Sequence, residues 1–167
     1  MLNFQHPQFS PLKKWIPSFI ILPFAIYYLT HRGSYTLLDN ADLIIHESGH
    51  FFFMLFGDFI QFAGGTLMQI IFPTVLAIYF LFHLYKTGFQ VMTFWLGHHL
   101  INISVYAADA QARKLHLLGG GIHDWHWMLS RLGMLDACGA IGNFFFISAI
   151  LMMLISLLFP LVWEDWE

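Results

Sequence analysis

The chain is poor in charge, in cysteine and in glutamate, and each shortage excludes something. Only 10% of its 167 residues are charged, against roughly 25% in a soluble domain. So few charges cannot cover a water-exposed surface on a chain that is 58% hydrophobic with a mean hydropathy of +0.65. The composition is that of an integral membrane protein. The formal net charge is −3 and no basic patch is present, which excludes nucleic acid as a partner. A single cysteine, Cys138, excludes an internal disulfide and a cysteine-based metal site. Cys138 reads as a small packing residue at a helix start. No internal repeat or low-complexity tract is found.

Apolar runs are what the chain has in quantity. They predict an all-α integral membrane protein with about five transmembrane helices plus a short interfacial helix, in one membrane domain over 1–167. The expected spans cover about 15–29, 41–56, 65–85, 89–108 and 137–159. The first is preceded by Lys13 and Lys14 like a signal peptide, but "YYLTHRG" at its end lacks a small-residue cleavage site, so it is read as a retained helix, bent near Pro23. Trp15, Trp125, Trp127, Trp163 and Trp166 suit membrane interfaces. With the N-terminus inside, Lys13, Lys14, Arg113, Lys114 and Arg131 are cytoplasmic and only Arg32 and Lys86 are outside. That orientation puts the tail "WEDWE" outside and makes 109–136 a cytoplasmic loop. Within the loop, "GGG" at 119–121 is followed by "IHDWHWMLSRLGML", read as a turn and a short helix lying at the interface.

Against this background "IIHESGHFF" at 44–52 stands out. His46 and His50 are four apart, one helical turn, and share a face. Two imidazoles so placed can bind one Zn²⁺. Glu47 points to an adjacent side, where it can hold a metal-bound water and take its proton, the mechanics of an HExxH zinc peptidase. The chain has only three glutamates, and Glu164 and Glu167 are in the tail. The one glutamate of the membrane region therefore lies inside the motif, at a cost of roughly 2.5–3.5 kcal/mol if it resembles Asp. The competing reading is a polar cluster satisfied by neighbouring helices, without metal. Asp42, one turn before His46, either accepts the second ring N–H of His46 or is a helix N-terminal acid, with Asp39 and Asn40 as caps.

A catalytic zinc needs a third protein ligand and an open position. The fourth span carries His98, Asn102, Tyr106 and Asp109 at three- and four-residue spacing, with His99 beside them and Arg113 one turn beyond. This stripe faces the bundle interior, either for function or for inter-helix hydrogen bonds and an Asp109–Arg113 pair. The loop offers His123, Asp124 and His126: His123 as a ligand with Asp124 orienting a ring nearby, or both histidines solvated on an interfacial helix. Depth along the helices favours Asn102 as a neighbour of the metal, whereas ligand chemistry favours Asp109 or His123. The expected set is His46, His50, Asp109 and His123 for the metal, Glu47 as base, and Asn102 or His98 polarising the substrate carbonyl.

"HESGHFFFMLFG" followed by "FAGGTLMQIIFP" resembles the site-2 protease family of intramembrane zinc metalloproteases, in particular its small, reduced members. The resemblance covers about residues 41–85. It implies His46 and His50 as zinc ligands, Glu47 as general base, and a third ligand from an aspartate on a later membrane helix. The family's aspartate stands in an N-P-x-x-P-x-x-D-G or L-D-G type motif. Here "YAADAQARKL" places Asp109 in comparable order, without the glycine and prolines. The expected activity is zinc-dependent cleavage of membrane-embedded or membrane-proximal peptide bonds near the cytoplasmic side, in a multi-pass protein of a bacterial inner membrane. Its partners are then the bilayer and a membrane protein or peptide substrate, with self-association left open. The alternatives are a haem protein using His46, His50, His83, His98 or His99, and a non-catalytic metal-binding protein or carrier that keeps HExxH. An i, i+4 pair on one helix cannot clamp a haem from both sides, and the polar groups do not run through the full membrane depth.

Overall fold

A computed structural model describes residues 12–115, 117 and 121–162. Trp163 and Trp166, the acidic tail, and Gly119 and Gly120 of the triple glycine lie outside them. Every regular element among the described residues is helical: α1 Ile16–Thr30, α2 Leu37–Phe53, α3 Asp58–Phe82, α4 Lys86–Ala108, α5 Asp124–Leu132 and α6 Cys138–Leu158, with short 3₁₀ turns between some of them. The five expected spans correspond to α1, α2, α3, α4 and α6, and the expected short helix is α5. Length and apolarity fit two stretches for crossing a membrane: α3, with a mean hydropathy of 1.8, and Leu135–Leu161 around α6, with 2.6. The 15 residues of α1 rise only about 22 Å, against a hydrocarbon core of about 30 Å. α4 is long enough, but its buried face carries Gln90, Thr93, His98, His99 and Ser104.

Local chemistry explains the boundaries that differ from expectation. α2 starts four residues early because Thr36 and Asp39 form a capping box, in which Asp39 Oδ2 accepts from Thr36 N at 2.7 Å. It stops at Phe53, where a 3₁₀ turn leads to Gly57 at φ +85°. α3 then starts at Asp58, seven residues before the expected span, and runs through Gly64, Gly65 and Pro73. Cys138 opens α6 and is buried, as expected.

The helices are held by close backbone approach and by buried polar ties. α2 and α3 cross at Gly49 and Gly64, each of which leaves no room for a Cβ: one on Gly49 would run into the Gly64 carbonyl. Small residues at a crossing of apolar helices allow this approach. α4 packs against α1 and α6, which also touch each other, with Leu100, Ile101, Ile103, Ala149 and Met153 in the core there. Gln90 on α4 ties the same helices: its Nε2 donates to Ser18 Oγ at 2.9 Å and to the Ser156 carbonyl at 2.8 Å, and Ser156 Oγ donates to the Gln90 carbonyl at 2.6 Å. α2 packs on α3 and α3 on α4, whereas α2 scarcely touches α4. The space left between α2 and α4 is a cavity of about 850 Å³.

The crossing has a direct test. Gly49→Val should destabilise the protein by about 1–3 kcal/mol through overpacking, read as a lowered midpoint of thermal unfolding in detergent. Exposed Gly139→Ala, where an added Cβ meets open space, should leave the midpoint unchanged or raise it.

Candidate metal centre

Helical spacing on α2 sets the first two side chains. His46 is buried and His50 partly so, their rings 4.8 Å apart and nearly perpendicular. Gly65 on the facing helix is what admits His46, since any Cβ there would overlap the imidazole. Each ring has its outer nitrogen engaged: His50 Nδ1 donates to the Gln61 carbonyl at 2.8 Å, and His46 Nδ1 lies 3.0 Å from Gln69 Oε1. The inner nitrogens converge, with His46 Nε2 and His50 Nε2 3.1 Å apart.

The third group at this point is Asp124, on the first turn of α5. Its Oδ2 lies 2.9 Å from His46 Nε2 and 3.3 Å from His50 Nε2. The three atoms form a near-equilateral triangle. A tetrahedral metal with bonds of about 2.0–2.1 Å spaces its ligands about 3.3–3.4 Å apart, so small relaxation suffices. A backbone carbonyl only accepts, so Nδ1 of His50 carries a proton and the neutral ring offers a bare Nε2. Two imidazoles and a carboxylate, outer nitrogens tied back, are a donor set that fits Zn²⁺.

Packing of α5 explains why Asp124 arrives here. Trp127 stacks on Phe62 of α3 with centroids 4.1 Å apart, and Arg131 caps the same indole at 4.0 Å. His123 is the N-cap residue: its Nδ1 accepts from His126 N at 3.2 Å. His126 Nδ1 donates to the Ala110 carbonyl at 2.8 Å, fastening α5 to the end of α4. Tyr106 fixes the carboxylate from α4: its hydroxyl accepts from Asp124 N at 3.0 Å and donates to Asp124 Oδ2 at 3.3 Å.

The other expected residues are placed as follows. Asp109 and His123 are not brought to His46 and His50. The Asp109 side chain turns back on its own loop and accepts from Lys114 N and Leu115 N, both at 2.9 Å, closing a turn in which Arg113 has φ +50°. His123 Nε2 stands 3.5 Å from Asp109 Oδ2, and its ring lies against Tyr106. Burial pushes the His123 imidazole below its usual range, opposed by Asp109 and Asp124. Glu47 lines the cavity, as do His98 and Asn102. Asn102 is engaged at both ends, its Oδ1 accepting from Gln69 Nε2 at 3.1 Å and its Nδ2 donating to Asp39 Oδ1 at 3.4 Å. Asp42 does not meet His46. It is fully buried and accepts from Trp95 Nε1 at 2.9 Å and from His98 Nδ1 at 2.8 Å.

Asp39, Asp42 and His98 form a second group with metal-ligand chemistry, but Asp42 sits at Nδ1 of His98 and Asp39 at Nε2, 3.8 Å away. The ring separates the carboxylates rather than chelating with them. The residues that motif reading passed over are Asp124 as a ligand, although it was marked as a neighbour, and Gln69. A helix-opening acid right after a histidine cap was the available signal for Asp124. Gln69, the one amide within the expected span 65–85, was the signal for itself.

Metal analysis separates these roles. Asp124→Ala and His46→Ala should each lose stoichiometric zinc, whereas Asp109→Asn should keep it. Equal zinc in Asp124→Ala and the wild type would remove Asp124 from the centre.

No protein-family model, no curated protein and no solved structure matches this chain.

Proposed function

We propose that this chain is an intramembrane zinc-dependent peptidase of the site-2 protease type, with His46, His50 and Asp124 as the metal ligands. The observation that carries the reading is the convergence of His46 Nε2, His50 Nε2 and Asp124 Oδ2 within 3.3 Å of one another, beside a cavity walled by Glu47. Zinc held there supplies a Lewis acid that lowers the pKa of water and polarises a carbonyl. Glu47 takes the proton of the attacking water on its carboxylate. As the C–N bond breaks it passes that proton to the departing amine, so that acid and amine products balance the water consumed. Asn102 is committed to two neighbours, and His98 donates its Nδ1–H to Asp42 and so leaves Nε2 a bare acceptor, so polarising the substrate carbonyl would fall to the metal.

The setting supports a bilayer. Phe19, Ile20 and Phe24 on α1, Phe51 and Phe52 on α2, and Phe144 and Ile147 on α6 are each more than half exposed, an arrangement costly in water and favourable in lipid. We extend this to five spans, α1, α2, α3, α4 and α6, with the N-terminus cytoplasmic on the basic-residue bias. α5 then lies at the cytoplasmic interface and delivers the third ligand from that side. The substrate in this reading is a membrane-embedded or membrane-proximal segment that unwinds locally to bring a peptide bond to the site.

Glu47→Gln is the decisive variant. It should retain zinc and lose cleavage of a membrane-embedded reporter peptide in proteoliposomes by about 100-fold or more. Wild-type cleavage by that variant would overturn the mechanism. Zinc-loaded wild type that cleaves nothing in a broad peptide panel would favour a non-catalytic metal-binding protein.

A further inference from the structure

We propose that Asp39 is a positioning residue for the metal centre: through Asn102 and Gln69 it dictates which nitrogen of His46 carries the proton, and so which one is left to bind metal. This rests on the metal-binding reading of the same site.

The chain of contacts crosses three helices. Asp39 Oδ1 on α2 accepts from Asn102 Nδ2 on α4 at 3.4 Å, Asn102 Oδ1 accepts from Gln69 Nε2 on α3 at 3.1 Å, and Gln69 Oε1 faces His46 Nδ1, back on α2, at 3.0 Å. An amide has a donor end and an acceptor end, so each link sets the direction of the next. The direction as a whole must be set at one terminus. Asp39 is that terminus. Its Oδ2 already receives Thr36 N and Thr36 Oγ1, both at 2.7 Å, and the first turn of a helix favours the anion. A carboxylate only accepts, so Asn102 must turn its NH₂ towards Asp39, Gln69 must turn its NH₂ towards Asn102, and Gln69 is left with an oxygen for His46. That oxygen requires a proton on His46 Nδ1, which bares Nε2 towards His50 and Asp124. Gln69 is 1% exposed, so solvent does not compete for either end.

An isosteric change at the terminus should reverse the whole chain. In Asp39→Asn the amide oxygen is held by Thr36 N–H, so the new NH₂ faces Asn102. Asn102 then flips, Gln69 flips after it, and an NH₂ group meets His46 Nδ1. The proton moves to Nε2, inside the ligand triangle. Adding Gln69→Glu should undo this, because a carboxylate at 69 accepts from His46 Nδ1–H whichever way Asn102 points. A role for Asp39 limited to capping α2 would gain nothing from that second change.

The test uses the full chain in detergent. Zinc affinity is measured by chelator competition for the wild type, Asp39→Asn and Asp39→Asn/Gln69→Glu. In parallel, ¹⁵N NMR of metal-free, histidine-labelled protein reports the His46 tautomer, with the resonance identified by its loss in His46→Ala. Asp39→Asn should bind zinc about 10-fold or more weakly and show the proton on Nε2. The double variant should return affinity towards wild type with the proton on Nδ1. Unchanged affinity and tautomer in Asp39→Asn, or a double variant as weak as the single, would overturn the relay. A wild type that binds no zinc would instead undo the peptidase reading, and the relay would then stand or fall on the tautomer alone.

Discussion

Three electron-pair donors aimed at one point repel each other, and the repulsion grows where water is excluded. His46, His50 and Asp124 are in that position. A shared cation would offset the repulsion, and neighbouring side chains hold the three groups in place. Gln61 and Gln69 grip the outer nitrogens, Tyr106 grips the carboxylate, and Gly65 clears the space into which the His46 ring fits.

The same constraint explains how polar groups are distributed. Buried polar side chains in apolar helices are costly unless paired. In this chain the buried acids and amides are mostly spent on one another or on the histidines. Asp42 binds Trp95 and His98, Asp39 closes the α2 cap and reaches Asn102, and Gln90 ties α4 to α1 and α6. Glu47 differs: it is exposed and lines the cavity.

Local features were legible in the sequence, and what depends on tertiary packing was not. The helical class and the placement of five helices follow from apolar runs, the short helix after the glycines from a turn signal, and the His46–His50 face from a four-residue spacing. The start of α2 was missed because a capping pair, Thr36 with Asp39, extends it past the apolar run. Asp124, the third candidate ligand, was missed for a different reason. The stripe on α4 correctly marked an interior face, but Asp109 lies where α4 ends, and its carboxylate is consumed by the amides of its own loop. Asp124 reaches the site through the packing of α5, with Trp127 docked on Phe62, 65 positions away, and His126 tied to the Ala110 carbonyl, contacts that no local pattern encodes.

The ligand set also joins distant parts of the chain. His46 and Asp124 are 78 residues apart, and closing a loop of that length costs about 4 kcal/mol in chain entropy. The three residues therefore form a non-local clasp, and an ion bound there would offset that entropy and hold α5 against α2 and α3. During synthesis the two histidines emerge long before the carboxylate. A nascent chain that has released α2, α3 and α4 still lacks Asp124, so the three candidate ligands can meet only after α5 has been made.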